Sequence, residues 1–126
     1  MTKPTIATVD ELQSELSGYY GSETTYRHPL GLIYTEGIKA VAELVGAYWL
    51  LDVVGSYRPA LKGEDFIIWR VESKDGTGRV SARTDTNEPD LISQTLEYTD
   101  FPEGVFEFYG ISSGNATPTL LLKSEY

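Results

Sequence analysis

The chain has 126 residues, of which 40% are hydrophobic and 12% aromatic, with a formal net charge of −9 and no cysteine. This length and composition predict one folded domain over residues 1–126 and exclude an intrinsically disordered chain. The lack of cysteine excludes disulfides, thiolate metal sites and thiol catalysis, and the lack of an apolar signal segment after Met1 predicts a cytoplasmic protein.

The first predicted element is a short amphipathic helix. Thr8 is placed as its N-cap with Glu11 three residues later, the spacing of a capping box. Apolar residues then recur at helical intervals through residues 9–16, and Gly18 ends the pattern. We expect one face of this helix to be buried.

An aromatic segment follows at residues 19–34. It shows no period of 2 or 3.6 residues, so we expect an ordered loop. Tyrosine offers rigid apolar area with a polar tip, which suits a contact site, but the same side chains could simply cover the junction of helices and sheet. As the alternative to a macromolecule-binding protein, this segment predicts a site for a small molecule or a nucleotide signal, formed by Tyr19, Tyr20, Tyr26, Arg27 and His28.

Two more helices are predicted before the strands begin. Thr35 caps the first, whose apolar stripe runs from Ile38 to Val45. Residues 47–57 are apolar on nearly all sides, which favours a buried helix and leaves a strand as the alternative. This apolar run contains Asp52, for which we expect exposure on the polar side of the helix, with Arg58 or His28 as partners if it is buried. It is far shorter than the roughly 20 residues of a membrane-spanning helix.

From Asp65 onward the pattern changes to alternation, which predicts strands. Residues 66–72 place Ile67, Trp69 and Val71 on one face, and residues 79–83 alternate in the same way. Between them, residues 75–78 read Asp-Gly-Thr-Gly, a strong signal for a hairpin turn. The two strands are therefore expected to pair.

Three further strands complete the predicted sheet. The third carries Ile92, Leu96 and Tyr98 on its core face, the fourth carries Phe106 and Phe108, and the fifth spans residues 120–122 after a turn at residues 114–118. Helices followed by hairpin-linked strands predict an α+β fold, with N-terminal helices packed on one face of a mainly antiparallel sheet of about five strands.

The charge is concentrated in the last third of the chain. Residues 85–126 hold eight acidic residues against Lys123 alone, whereas residues 1–84 hold eleven acidic and nine basic residues. On the strand pattern, Glu97, Glu103 and Glu107 should emerge together from one hairpin, opposite the core face. The carboxylates that form this candidate partner-binding site are Asp85, Glu88, Asp90, Glu97, Asp100, Glu103 and Glu107.

Such an anionic face repels nucleic acid and membranes, and it speeds encounter with basic partners. We therefore expect a basic nucleic-acid-binding protein or complex as the partner, with the carboxylates taking the place of phosphates. A face that only keeps the protein soluble is the alternative. The sequence predicts no enzyme, cofactor or metal site: His28 is the single histidine, and the glycines at 76 and 78 lack the context of a phosphate-binding loop.

Several stretches together resemble a family of small uncharacterised bacterial proteins found on plasmids, in phages and in chromosomes. They are residues 27–37 (Arg-His-Pro-Leu to Tyr-Thr-Glu-Gly), residues 46–52 (Gly-Ala-Tyr-Trp-Leu-Leu-Asp), residues 97–102 (Glu-Tyr-Thr-Asp-Phe-Pro) and the Leu-Leu-Leu-Lys-Ser-Glu-Tyr end. The resemblance covers about residues 8–126 and implies no activity. It implies an accessory protein of a mobile element, a class in which small acidic proteins often inhibit host defence complexes.

Overall fold

The computed structural model describes residues 6–19, 24–61, 63–99, 101–112 and 117–126. The predicted turn at 114–118 therefore lies largely outside the described residues, and Tyr20 and Asp100 lie wholly outside them. The helices are α1 (Val9–Glu15), α2 (Glu36–Leu44) and α3 (Tyr48–Ser56), with short 3-10 turns at Pro59–Leu61 and Lys123–Glu125. The strands are β1 (Thr25–Arg27), β2 (Ile33–Thr35), β3 (Phe66–Lys74), β4 (Thr77–Arg83), β5 (Ile92–Leu96), β6 (Gly104–Ile111) and β7 (Thr119–Leu122).

The strands form one sheet in the order β1-β2-β7-β6-β3-β4-β5. All neighbours are antiparallel except β2 and β7, which run parallel. The α+β class is thereby confirmed, but the described residues contain two strands more than the expected five. Both lie in the segment for which a loop was predicted. Each is only three residues long, too short for alternation to show in the sequence.

The helices cover one face of the sheet, and the core lies between them. Trp69 of β3 stacks on Phe108 of β6, with ring centroids 6.4 Å apart and an angle of 10° between the ring planes. The predicted core face of β3 is confirmed, since Ile67, Trp69 and Val71 are all buried. The main buried side chains of the helices are Val9, Leu12, Leu16, Ile38, Val41, Leu50, Leu51 and Val54, and those of the strands are Val80, Ala82, Ile92, Phe106, Leu120 and Leu122.

The predicted starts of the first two helices are confirmed. The Thr8 hydroxyl accepts a hydrogen bond from the backbone N–H of Glu11 at 3.2 Å, and the Thr35 hydroxyl accepts one from the N–H of Ile38 at 3.4 Å. Each bond satisfies a backbone donor that the helix itself leaves without an acceptor.

One side-chain prediction is wrong. Tyr98 was expected in the core, but β5 ends at Leu96 and the Tyr98 side chain is 80% exposed. The alternation of β5 stops because the backbone bends at residues 97–98, after which the N–H of Thr99 donates to the carbonyl of Gly76 at 2.8 Å. Alternation predicts which side chains point toward the core only for residues that are part of the strand.

The C-terminus is fastened to the start of α2 by Glu125. Its Oε1 accepts hydrogen bonds from the Thr35 hydroxyl at 2.6 Å and from the Leu122 N–H at 2.9 Å, and its Oε2 accepts from the Gly37 N–H at 3.3 Å. A Cβ at position 37 would overlap this carboxylate, so glycine is required for the approach. The contact adds a negative charge at the N-terminus of α2, where the helix dipole favours it.

Replacing Glu125 should therefore destabilise the fold measurably. We expect Glu125→Ala to lower the free energy of unfolding by about 1–2 kcal/mol, because it removes the carboxylate that caps the N-terminus of α2. The Thr35 hydroxyl and the Gly37 N–H then lose their acceptor. Urea unfolding followed by circular dichroism measures the effect. Glu15→Ala, at an exposed carboxylate in α1, is the control. Equal stability of the two variants would contradict the role assigned to Glu125.

Candidate functional site

The face of the sheet opposite the helices, which we call the open face, carries a ladder of ion pairs. On β3 and β6, Arg70 donates through Nε and Nη2 to Oε2 of Glu107 at 3.1 and 3.0 Å. Lys123 donates through Nζ to Oε1 of the same carboxylate at 2.8 Å. Arg70 also lies 3.6 Å from Glu72. Glu107 is thus held between two cations.

The second group of pairs lies on β4 and the loop that follows it. Asp90 accepts hydrogen bonds from Arg83 Nε at 2.9 Å and from Arg79 Nη2 at 3.3 Å. Arg79 also donates to the Ser93 hydroxyl at 2.7 Å. Two of the seven predicted partner-binding carboxylates, Asp90 and Glu107, are therefore neutralised within the protein and are poor anchors for a basic partner.

The titration of Glu107 reflects this environment. Its partial burial alone would raise the pKa, but the hydrogen bonds from Lys123 and Arg70 outweigh burial, so the pKa lies below its ordinary value of 4.5. The hydrogen bond that Arg70 donates to Glu107 also raises the pKa of Arg70. Both groups are charged at neutral pH.

Two other predicted carboxylates, Glu97 and Glu103, lie near the turn of the β3–β4 hairpin. Asp75 and Gly76 form that turn with φ of 52° and 80°, as a two-residue turn of the mirror-image type requires. Glu103 accepts from the Asp75 N–H at 3.0 Å. Glu97 directly follows β5, whose Leu96 pairs with Gly78 just beyond the turn.

Exposed apolar side chains accompany these acids. Tyr98 is 80% exposed and Val105, the second residue of β6, is 51% exposed. We call the five residues Asp75, Glu97, Tyr98, Glu103 and Val105 the hairpin-end patch. Sequence reasoning missed Asp75, Tyr98 and Val105 as parts of a surface. The signal for Tyr98 was present, since the run Glu97-Tyr98-Thr99-Asp100 is too polar to continue a core strand.

The remaining predicted carboxylates lie at the other end of the sheet. Asp85 and Glu88 are exposed in the connection from β4 to β5, where the Asp85 carboxylate accepts from the Thr86 N–H at 2.6 Å. Asp85 and Glu88 are therefore apart from Glu97 and Glu103, by the length of β4.

The expectation that Glu97, Glu103 and Glu107 project from a single hairpin is wrong. It assumed that β5 and β6 pair, whereas β3 and β4 lie between them. Three strand spacings separate β5 from β6, about 14 Å. The acidic segment of the sequence is thus divided in space, and basic side chains of β3 and β4 lie across the middle of the open face.

The tyrosine, arginine and histidine residues of the alternative site are also dispersed. The Leu30 N–H donates to Nδ1 of His28 at 3.1 Å, so Nε2 carries the proton of the neutral ring and donates to Asp52 at 2.7 Å. Both ring nitrogens are thereby engaged. The Asp52 side chain is 70% exposed on α3, as expected.

The other members of that group face different neighbours. Tyr26 stacks on Tyr34 with ring centroids 5.5 Å apart, and the Lys39 ammonium lies 4.5 Å from the centre of the Tyr26 ring. Arg27 is exposed on the edge strand β1, and the carbonyl of Tyr19 accepts from the Ser124 hydroxyl at 2.6 Å. Tyr26 and Tyr34 therefore pack together at the edge of the sheet, whereas Tyr19, Arg27 and His28 each contact a different part of the fold.

A search of the described residues finds no group of three or more His, Cys, Asp or Glu side chains placed to hold a metal ion. Nor do the helices of the described part of the chain include one long and apolar enough to cross a membrane.

The chain belongs to a family of unknown function, DUF6876, whose model matches residues 10–126. Neither the curated proteins nor the solved structures contain a match to it. The family therefore assigns no activity to the surfaces described above.

The ion pairs of Glu107 should make stability depend on pH. A carboxyl group whose pKa is lowered by folding stabilises the native state above its ordinary pKa of 4.5, and this contribution is lost as the pH falls through the lower, native value. We expect Glu107→Gln to cost about 1 kcal/mol at pH 7, since the network is partly exposed, and to cost progressively less below the ordinary pKa.

Urea unfolding of the wild type and the variant between about pH 3 and about pH 7, a range that includes the ordinary pKa of a carboxyl group, measures this difference. Glu88→Gln, at an exposed carboxylate in the connection between β4 and β5, is the control and should show no such trend. A Glu107→Gln penalty that stays constant over the pH range would contradict the assignment.

Proposed function

We propose that this member of the DUF6876 family is a small, acidic, non-enzymatic protein that binds a basic macromolecular partner through its hairpin-end patch. The observation that carries the proposal is the 80% exposure of Tyr98, which directly follows Glu97 at the end of the hairpin where Glu103 accepts from the Asp75 N–H. Tyrosine is enriched in protein interfaces because it supplies a large rigid contact area with a polar tip.

The charges of the patch support the same conclusion. Glu97 has no hydrogen-bond or ion-pair partner among the described residues, and Glu103 uses one oxygen for the turn at Asp75. Unlike Asp90 and Glu107, these carboxylates remain available to Lys and Arg side chains of a partner. Charge-assisted bonds to such groups fix orientation and raise the rate of association.

A groove next to the patch gives the partner room. It has a volume of about 580 Å³ and lies on the open face, with Glu72, Lys74, Thr77, Glu103 and Val105 among its lining residues. Its lining combines the apolar side chain of Val105 with two carboxylates, Glu72 and Glu103, and two cations, Lys74 and Arg79. It therefore suits a segment with apolar side chains and charges of both signs, whose basic groups can reach Glu103.

The partner that best fits this chemistry is a nucleic-acid-binding protein, whose binding site offers Lys and Arg side chains. Occupying that site would exclude the nucleic acid, so the protein would act as an inhibitor. This role agrees with an accessory protein of a mobile element that acts on a defence complex. The net charge of −9 favours encounter with such a basic surface and disfavours direct contact with nucleic acid.

A double variant of the patch tests the proposal. Glu97→Lys with Tyr98→Ala should weaken capture of basic proteins from cells that carry the gene by at least about tenfold, because it removes an interface anchor and reverses a charge. Captured proteins are identified by mass spectrometry, and nucleic-acid binding by the purified partner is then measured with and without this protein. We expect the wild type to compete with nucleic acid and the variant not to compete.

The matched control is Asp85→Lys with Leu91→Ala. It makes the same change of charge and removes a side chain that is 50% exposed, but at the opposite end of the sheet. Equal losses in the two double variants would show nonspecific electrostatics and reject the patch. Capture that neither variant affects would reject the proposed surface altogether.

A further inference from the structure

A cavity of about 480 Å³ lies on the helix-covered side of the sheet, at the end away from the hairpin-end patch. It is bounded by the end of α3, the Pro59–Leu61 turn and the ends of β3, β6 and β7. Its size is in the range of sites that bind drug-sized molecules. Apolar side chains form most of the floor, among them Val54, Leu61, Ile67, Trp69 and Leu120.

The indole N–H of Trp69 is a hydrogen-bond donor for which the described residues supply no acceptor. Trp69 is 2% exposed, and its Nε1 makes no hydrogen bond with them. Yet no fully occluded side-chain nitrogen or oxygen among these residues lacks a partner. Nε1 must therefore reach open space, and Trp69 lines the cavity. A buried donor that faces a cavity is satisfied by whatever occupies it.

Gly110 keeps this donor accessible. A Cβ at position 110 would lie 3.2 Å from Nε1 of Trp69 and 3.4 Å from a methyl group of Leu120. Even a single methyl group would thus contact the indole nitrogen. The glycine leaves the approach to Trp69 open from the side of β6, where it also lines the cavity.

The rim of the cavity is acidic on one side. Glu64 and Asp65 line it, and their exposed carboxylates make no bond with other described residues. Arg58, the one cation among the described lining residues, lies with its guanidinium against Gly31, where a Cβ would be 2.6 Å from Nη1. As far as the structure describes the rim, its side at residues 64–65 therefore carries two carboxylates without a paired cation and favours a positive charge.

From these features we infer that the cavity binds a small molecule with a flat apolar body, a carbonyl or ring-nitrogen acceptor for Trp69, and a protonated amine for Glu64 and Asp65. The body replaces water on the apolar floor, the acceptor satisfies the indole N–H, and the amine lies at the acidic rim. This site goes beyond the proposed function and does not depend on the hairpin-end patch, which lies at the other end of β3.

Nuclear magnetic resonance of the two tryptophan indole N–H groups tests the inference directly. Trp49 packs edge-on against Phe101 and does not line the cavity, so its signal is an internal control, and Trp49→Phe assigns the two peaks. The probes are three benzamides of nearly equal shape: N-(2-aminoethyl)benzamide is cationic, N-propylbenzamide is neutral, and hippurate is anionic. Each carries the carbonyl acceptor.

We expect the cationic probe to shift the Trp69 signal saturably, with a Kd of about 1 mM for a ligand of this size, and the anionic probe to bind at least about tenfold more weakly. Gly110→Ala should weaken binding of all three. The double variant Glu64→Gln with Asp65→Asn, at exposed positions, should keep binding but remove the preference for the cation.

The Trp49 signal reports whether each variant stays folded, and the double variant tests the rim even if Gly110→Ala does not fold. Absence of a saturable Trp69 shift with all three probes would overturn the inference, as would equal shifts of both indoles. Tightest binding of hippurate would overturn the assignment of a cationic ligand.

Discussion

The pairing of β3 with β6 is the constraint on which the other features of this protein depend. The register joins eight residues on each strand, from Phe66 with Ile111 to Ser73 with Gly104. It sets Trp69 opposite Phe108 on the covered face and Arg70 opposite Glu107 on the open face. A shift by one residue would exchange the two faces, burying the charges and exposing the rings. Core packing and the ion pairs of the open face therefore select the same register.

This pairing also explains why the acidic third of the sequence does not form an acidic face. Because β6 returns to pair with β3, the chain between β5 and β6 crosses the end of the β3–β4 hairpin. Glu107 then meets Arg70 from β3 and Lys123 from the 3-10 turn that follows β7, and Asp90 meets Arg79 and Arg83 from β4. A run of like charges in sequence is thus balanced by basic residues that lie outside the run, on β3, on the preceding strand β4 and after β7. Among the described carboxylates of this run, Asp85, Glu88, Glu97 and Glu103, which lie in loops and near turns, have no ion pair.

Local signals predicted the parts of the fold that local chemistry determines. The caps at Thr8 and Thr35 each depend on residues three positions apart, and the alternation of β3 extends over a whole strand, so both can be read from the sequence. Strand order, the short strands β1 and β2 and the exposure of Tyr98 depend on contacts with segments far along the chain. For the site, the sequence indicated acidic residues and an aromatic segment. It did not indicate which carboxylates form ion pairs, because that depends on which strands and loops become neighbours in the sheet.

The two sites proposed for this protein lie at opposite ends of β3 and depend on different kinds of observation. Gly110 alone would not indicate a ligand, because close packing against Trp69 and Leu120 already requires a small residue there. The indole N–H is different, since leaving such a donor unpaired in the interior costs about 1–3 kcal/mol. Packing does not require the N–H donor itself, because a phenylalanine at position 69 would fill the same part of the cavity floor without a polar group. A tryptophan that directs its N–H into a cavity is best explained by an occupant that accepts the bond, and a water molecule would satisfy the donor but leave the apolar floor uncovered.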